Sequence, residues 1–546
     1  MKKNISIFAL VTILFTLAAC NSNGHTHTFY DEWNFDNEYH WHEASCEHKD
    51  VVGDKEKHQG EYVVVDPTET EDGYKYLVCS VCGYRMSGDE PSGDTAIGTI
   101  DKLAFVLNEE TNEYAVKCLD QTIEGNVIIP AKFKNLPVTS IAQKGFYKCP
   151  NITSVIIPNS IKTIEESAFY YCLSLRGVLF NDGSLLNDIE DFAFFHCPML
   201  TNINIPNNVT YIGKQVFQDC GFSSINLPSK ITVISEGLFA SCVNLTSIKI
   251  PNGVTSIETN AFTTCARLAS VTIPEGVTKI GETAFSSCNS LTNLVIPDSV
   301  SELGEKVFMH SEKLERIDLP RNIKNIPSGL FNGCKGLVSV TFGNITSIGD
   351  YAFLNCSSLV SLPEIPSTIE EVGIDAFRGC SQLSANVFDN GEYLGNSQNP
   401  YLVLIRPLSS VKVNNLTSIV THDNCEIIAG GVFCDYYYLE NASISSSVKY
   451  IGKMAFLGSK LTTFTFPEGV KVINASVLSC SSLLEVNIPS TVTLIGEFAF
   501  SSCEALEKIV YNGTKQEWYS IEKENCWSDN CPKLHLVQCT DGDTTM

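Results

Sequence analysis

Residues Val277–Ser299 read VTKIGETAFSSCNSLTNLVIPDS. Nothing in this phrase has the look of a catalytic centre, yet near-copies of it recur along most of the 546-residue chain. With Phe285 as the reference, equivalent residues are Phe146, Phe169, Phe194, Phe217, Phe239, Phe262, Phe308, Phe331, Phe353 and Phe377, at steps of 22 to 25 residues. Three residues after each stands Cys149, Cys172, Cys197, Cys220, Cys242, Cys265, Cys288, Ser311, Cys334, Cys356 and Cys380. The beat resumes at Phe433, Phe456 and Phe500. A fixed period of this length marks stacked repeats, each a unit of supersecondary structure.

Each unit has two parts. Leu291–Ile296 carries apolar residues at spacings of three and two, which predicts a short strand with Leu294 and Ile296 on one face. Pro297 then ends the ladder. The V-T-x-I-G-x-x-A-F-x-x-C part is expected to turn back through a tight bend or short helical turn. One unit cannot bury its Phe, Leu and Ile alone, but neighbours in a stack cover one another. The phenylalanines should then form one buried column and the cysteines another, as small buried hydrophobes. Parallel Cβ vectors suit disulfides badly, so a structural thiol ladder is expected, with disulfides or metal along it as alternatives. Ser311 stands as an unexplained break in that column.

The phrase V-T-x-I-G-x-x-A-F-x-x-C-x-x-L-T-x-V-x-I-P resembles the BspA-like leucine-rich repeat of bacterial and protozoan surface proteins, and recurs about fourteen times between Val138 and Val510. The resemblance implies a right-handed leucine-rich-repeat solenoid, β-rich within the α/β class. Strands stacked about 4.8 Å apart would extend it to about 70 Å. Leu103–Leu107 and Glu113–Val116 read as a hairpin followed by a strand at Val127–Ile129, similar to the opening cap of this family. At the other end Thr514-Lys515-Gln516-Glu517 is a capping box opening a short helix, with Trp518 and Trp527 expected to pack over the last coil. Cys526 and Cys531 are close enough in sequence to pair. Between Ser384 and Asn424 the beat lapses, and Gly391–Gly395 with Tyr401–Ile405 read as an inserted hairpin, similar to insertions in this family. It is either a recognition element or a strand pair packed on the solenoid.

The resulting organisation is a signal segment over 1–19, an anchor and linker over 20–24, a Cys/His-rich module over 25–88 and a linker over 89–100. A β cap follows over 101–137, repeats over 138–383, the insertion over 384–424, repeats over 425–510 and a closing cap over 511–546. At the start, Lys2 and Lys3 precede an apolar Ile5–Phe15 and the sequence Leu17-Ala18-Ala19-Cys20. This resembles the bacterial lipobox and implies acylation of Cys20, hence an exported lipoprotein anchored to the membrane at the cell surface. The alternative is an ordinary secretory signal. A net charge of −25 repels phosphate and argues against a nucleic-acid partner.

Six of the ten histidines lie between His25 and His58. Cys79-Ser80-Val81-Cys82-Gly83 offers two thiolates at a spacing suited to a structural zinc. Cys46 and His58 are the next candidate ligands, then His42 and His48. The expected partner C-x-x-C is here Cys46-Glu47-His48. An oxidised Cys79–Cys82 pair or a polar linker would explain the same residues. The module is similar to small Cys/His-rich modules that precede such repeats in other bacterial lipoproteins.

Strand alternation places two side chains per coil on an open, concave face: Ser224 and Asn226, Ser247 and Lys249, Ser270 and Thr272, Asn293 and Val295, Arg316 and Asp318, Ser339 and Thr341. Asn226, Lys249, Thr272, Asn293, Arg316, Asp318 and Thr341 are the candidate ligand-binding residues. No carboxylate pair, triad pattern or phosphate loop recurs, so no enzyme is expected. The face is either a solvated ladder or a broad surface for macromolecules. BspA-like proteins are associated with adhesion to extracellular-matrix proteins and with co-aggregation. That resemblance implies host or bacterial surface proteins or glycans as partners. The alternative is a structural envelope component that binds peptidoglycan or polysaccharide.

Overall fold

The computed structural model describes residues 29–35, 39–44, 52–57, 60–65, 74–79, 90–91, 99–408 and 415–545. The signal segment, Cys20 and residues 20–24 lie outside them. The chain divides into two compact units, the first made of Met1–Asp101 with Lys132–Asn135 and the second holding the repeats. The first carries two three-stranded antiparallel sheets. One is Phe29–Phe35, Tyr39–Ala44 and Val52–Lys57. The other is Gly60–Val65, Tyr74–Cys79 and Glu90–Pro91, the last within the stretch read as a linker.

The second unit is a β-solenoid of about 17 turns at a spacing of about 23 residues. Each regular turn contributes two strands where sequence reasoning expected one. In the opening phrase these are Lys279–Ile280, just before Gly281, and Asn293–Val295, just before Pro297. The first kind stack into an I-G sheet, with Ser256, Lys279 and Glu302 in parallel register. The second kind stack into an I-P sheet, with Asn293, Arg316 and Ser339 in register. The stretch expected to be only a bend therefore opens with a strand. The return between the two sheets is made of turns, and the one α-helix among the described residues is Lys515–Ser520.

The spacing of apolar residues explains the coil. Val277, Ile280, Ala284, Phe285, Cys288, Leu291, Leu294, Ile296 and Val300 are all buried, so every side of the turn sends a side chain inward. From Phe146 to Phe377 the phenylalanine rings stack face to face, with centroids 5.1–6.1 Å apart and planes within 26°. Each such contact contributes about 0.5–1.5 kcal/mol beyond area burial. The tight return needs a left-handed residue on each side of the phenylalanine, Thr283 at φ 55° and Ser287 at φ 58°. Such a conformation costs an L-residue about 1–2 kcal/mol. It is held because the Thr283 and Ser287 N–H groups donate to Glu305 and Met309 of the next turn, at 2.9 and 2.7 Å. Gly281 has a different reason: a Cβ there would lie 2.5 Å from the Thr259 nitrogen of the preceding turn.

Both ends are covered as expected. Leu103–Asn108 and Glu113–Cys118 form the opening hairpin, and Glu124–Ile128 starts the I-P sheet. At the far end Thr514 and Glu517 complete the capping box, and Trp518 is buried against Tyr511 and Trp527. Trp527 in turn meets Phe500 edge-on at 6.1 Å. Cys526 and Cys531 are both free. Cys531 instead donates to the Phe500 carbonyl at 3.0 Å, so one more coil lies within the stretch read as a cap.

The lapse in the beat is a three-stranded insertion wedged into the stack. Asn386–Phe388 and Gly391–Leu394 pair antiparallel, Gly391–Leu394 pairs with Val403–Pro407, and that strand pairs parallel with Ile427–Ile428. Tyr393, Leu402, Val403, Leu404 and Ile405 are buried, so the pair packs into the solenoid. Arg406 binds Glu392 at 2.7 Å and donates to the carbonyls of Cys380 (2.8 Å) and Leu383 (3.2 Å). These two carbonyls belong to the last coil before the insertion, and the guanidinium takes the place of the missing next turn.

Candidate functional site: the open face of the repeats

The I-P sheet alternates buried and exposed residues as a one-sided sheet should. Ile248, Leu294, Ile317 and Val340 point inward, while Lys249, Thr272, Asn293, Arg316, Asp318 and Thr341 are exposed. Parallel register brings them into two rows. One runs Asn293–Arg316–Ser339, and the other runs Val295–Asp318–Thr341. Lys249 pairs with Thr272 of the next turn. The Thr341 hydroxyl donates to Asp318 across one turn. Val295 is 82% exposed at the centre of this otherwise polar face.

Asn226 is exposed but lies in no strand. Its coil is one residue short after Cys220, so Phe222 fills the usual leucine place, edge-on to Phe217 at 5.5 Å. The I-P strand expected at Ser224 and Asn226 is not formed. His42 lies in Tyr39–Ala44 and Cys79 ends Tyr74–Cys79, strands of two different sheets. Cys46, His48, His58 and Cys82 lie outside the described residues. Among the described residues no group of three or more His, Cys, Asp or Glu is placed to hold a metal.

The cysteine column is not only packing. From Cys172 to Cys380 each thiol donates to the carbonyl of the phenylalanine one turn back, at 2.9–3.3 Å. Ser311 does the same to Phe285 at 2.9 Å, so it continues the column it was expected to break. Burial pushes the thiols of Cys172, Cys242 and Cys288 up to about 12, and those of Cys197, Cys220 and Cys265 well above their usual value. Thiols held neutral in this way are poor nucleophiles and poor metal ligands.

A second surface feature went unread in the sequence. Tyr147, Tyr170 and Phe195 follow successive ladder phenylalanines and stack at 5.0 and 4.8 Å. Tyr171 and His196, next along the chain, meet at 4.2 Å with their planes tilted by 33°, and His196 pairs with Asp219. All five rings are half-buried. The signal was available as aromatic residues after the beat phenylalanine, where later coils carry Gln218, Ala240, Thr263 and Ser286.

Residues 139–269, 255–384 and 410–531 match the family described as BspA type leucine-rich repeat region. The chain belongs to the BspA-type leucine-rich repeat family. Its solved structural neighbours include a leucine-rich repeat protein from Bacteroides ovatus, 23% identical, covering 81% of this chain and 100% of that one at a TM-score of 0.40. A leucine-rich cell surface protein from Faecalibacterium prausnitzii is 24% identical, covering 80% and 100% at 0.31. The pneumococcal vaccine antigen PcpA is 16% identical, covering 86% and 98% at 0.31. No curated protein matches the chain. No helix among the described residues is long and apolar enough to cross a membrane. The BspA-type repeats account for the thiol ladder, the Phe column and both sheets.

Proposed function

We propose that this BspA-type protein is a lipid-anchored surface protein. It is attached through Cys20, and its I-P face binds macromolecules of host or neighbouring cells. The family supports a repeat-based binding role. The observation that carries this reading is the open face itself: in-register rows of exposed side chains with Lys249, Arg316 and Asp318 on a rigid stack. A broad face of this kind suits a large partner, and repeat scaffolds commonly present one. External protease on intact cells should release the repeats, and the purified chain should bind matrix proteins. Reversing charge at Lys249, Arg316 and Asp318 together should weaken that binding at least about tenfold with the melting curve unchanged. Full protection of intact cells from protease would sink the surface reading.

The Cys/His-rich module over 25–88 is proposed to hold a structural zinc through Cys79 and Cys82, with Cys46 and His58 completing the set and His42 or His48 as substitutes. The C-x-x-C spacing supports it. Metal analysis of the full chain should give one zinc per molecule, lost in C79S/C82S.

A further inference from the structure

The first thiol of the ladder has no phenylalanine carbonyl to bond. Backbone register shows why. The Phe146 N–H donates to Ala168 of the next turn, and the Cys118 N–H donates in the same way to Gly145 at 2.9 Å. Cys118, the last residue of the opening hairpin, therefore sits in the slot that Phe holds in later coils. The Cys149 sulfur, which by the ladder rule would meet a Phe carbonyl, meets the Cys118 sulfur at 3.6 Å. Cys118 is half-buried, whereas Cys149 and the ladder thiols from Cys172 to Cys380 are buried.

We propose that Cys118 and Cys149 form a dithiol that a small disulfide oxidant closes into a bridge, stapling the opening hairpin to the first coil. Exposure makes Cys118 the sulfur that reacts first. Its thiolate attacks one sulfur of the oxidant, R–S–S–R, forming Cys118–S–S–R and releasing RS⁻. Cys149 then loses its proton to solvent and attacks the Cys118 sulfur, forming the protein disulfide and releasing the second RS⁻. Two protein thiols are oxidised and one oxidant disulfide is reduced to two thiols. The contact with the Cys149 sulfur also lowers the pKa of Cys118, which favours the Cys118 thiolate, and raises that of Cys149, so Cys118 is the sulfur that ionises first. The charged groups beside Cys118 are Lys117 and Asp120. The bridge would close a loop spanning 31 positions at the end of the stack, where the hairpin has no coil before it to hold it.

The test treats the reduced full-length chain with oxidised glutathione and maps disulfides by mass spectrometry after digestion. A Cys118–Cys149 cross-linked peptide should dominate among residues 99–545 and disappear with dithiothreitol. Proteolysis within Leu103–Cys118 should slow at least about tenfold on oxidation, and C118S should lose both effects. Mapping the wild-type chain decides the matter even where C118S folds poorly. Cys118 left free, or carrying only a glutathione adduct beside an unreacted Cys149, overturns the proposal. So does a bridge that forms without slowing proteolysis of the hairpin.

Discussion

At the scale of the residue, the recurring cysteine answers to a carbonyl. The Phe262 oxygen accepts the Cys265 N–H at 3.2 Å and the Cys288 S–H from the next turn at 3.3 Å. A side chain in that slot must be small, buried and able to donate. Serine meets those terms, as Ser311 shows at zero exposure. Cys288→Ser should therefore cost under about 1 kcal/mol, and Cys288→Ala about 1–3 kcal/mol through the lost donor and the cavity. Urea melts of the two variants check the order. Extracellular proteins usually oxidise their cysteines, but a thiol enclosed on all sides and bonded to backbone is closed to an oxidant. Composition gave no view of this donor role, because it depends on which backbone atom the next coil presents.

At the scale of the element, the turn is constrained by the backbone of its neighbour. Gly281→Ala would drive a methyl group to within 2.5 Å of the Thr259 nitrogen and 2.7 Å of the Glu258 carbonyl carbon. Neither atom can move without breaking the I-G ladder, so a loss of about 1–3 kcal/mol is expected in thermal melts. The insertion depends on one guanidinium. Arg406→Met would take the guanidinium away from Glu392, which is 5% exposed, and from two backbone carbonyls. A loss of about 3–5 kcal/mol is expected, read by hydrogen exchange across Gly391–Pro407.

The beat of Phe and Cys made the coil, its length and the lapse at Ser384 legible in the chain, because burial repeats whenever the coil does. The I-G strand was not legible. Two residues such as Lys279–Ile280 carry no periodicity of their own and become a strand only through hydrogen bonds to other turns. The open face was legible from alternation at Lys249, Arg316 and Asp318. At Asn226 the alternation also holds, with Ile225 buried and Asn226 exposed, but no strand forms there. The aromatic column at Tyr147, Tyr170 and Phe195 was visible as composition but not as a stack, since stacking requires the register.

At the scale of the whole molecule, the thiols act in sum. The ladder thiols of Cys172, Cys242 and Cys288 are neutral in the fold, with pKa values raised by burial above the unfolded value of about 8.5. A raised value means that the stabilisation is fully present below about pH 8.5 and is lost as pH climbs towards 12, where the unfolded chain alone ionises. Each thiol contributes a slope of up to about 1.4 kcal/mol per pH unit in that window, and the slopes add. Melting temperature should fall steeply between about pH 9 and 11, and Cys288→Ser should flatten that fall by one thiol's share.

The Phe rings lean on one another from Phe146 to Phe377 and start a new pile at Phe433 and Phe456. A chain held at one end and tugged at the other would yield at the ends of those piles, one turn at a time. Each release would pay out about 23 residues, roughly 80 Å of slack. A single-molecule pulling trace should then be a sawtooth of equal teeth, interrupted by one taller tooth where Arg406 grips the coil before it. A stack so built would take up a sudden pull in small, equal steps rather than in one break.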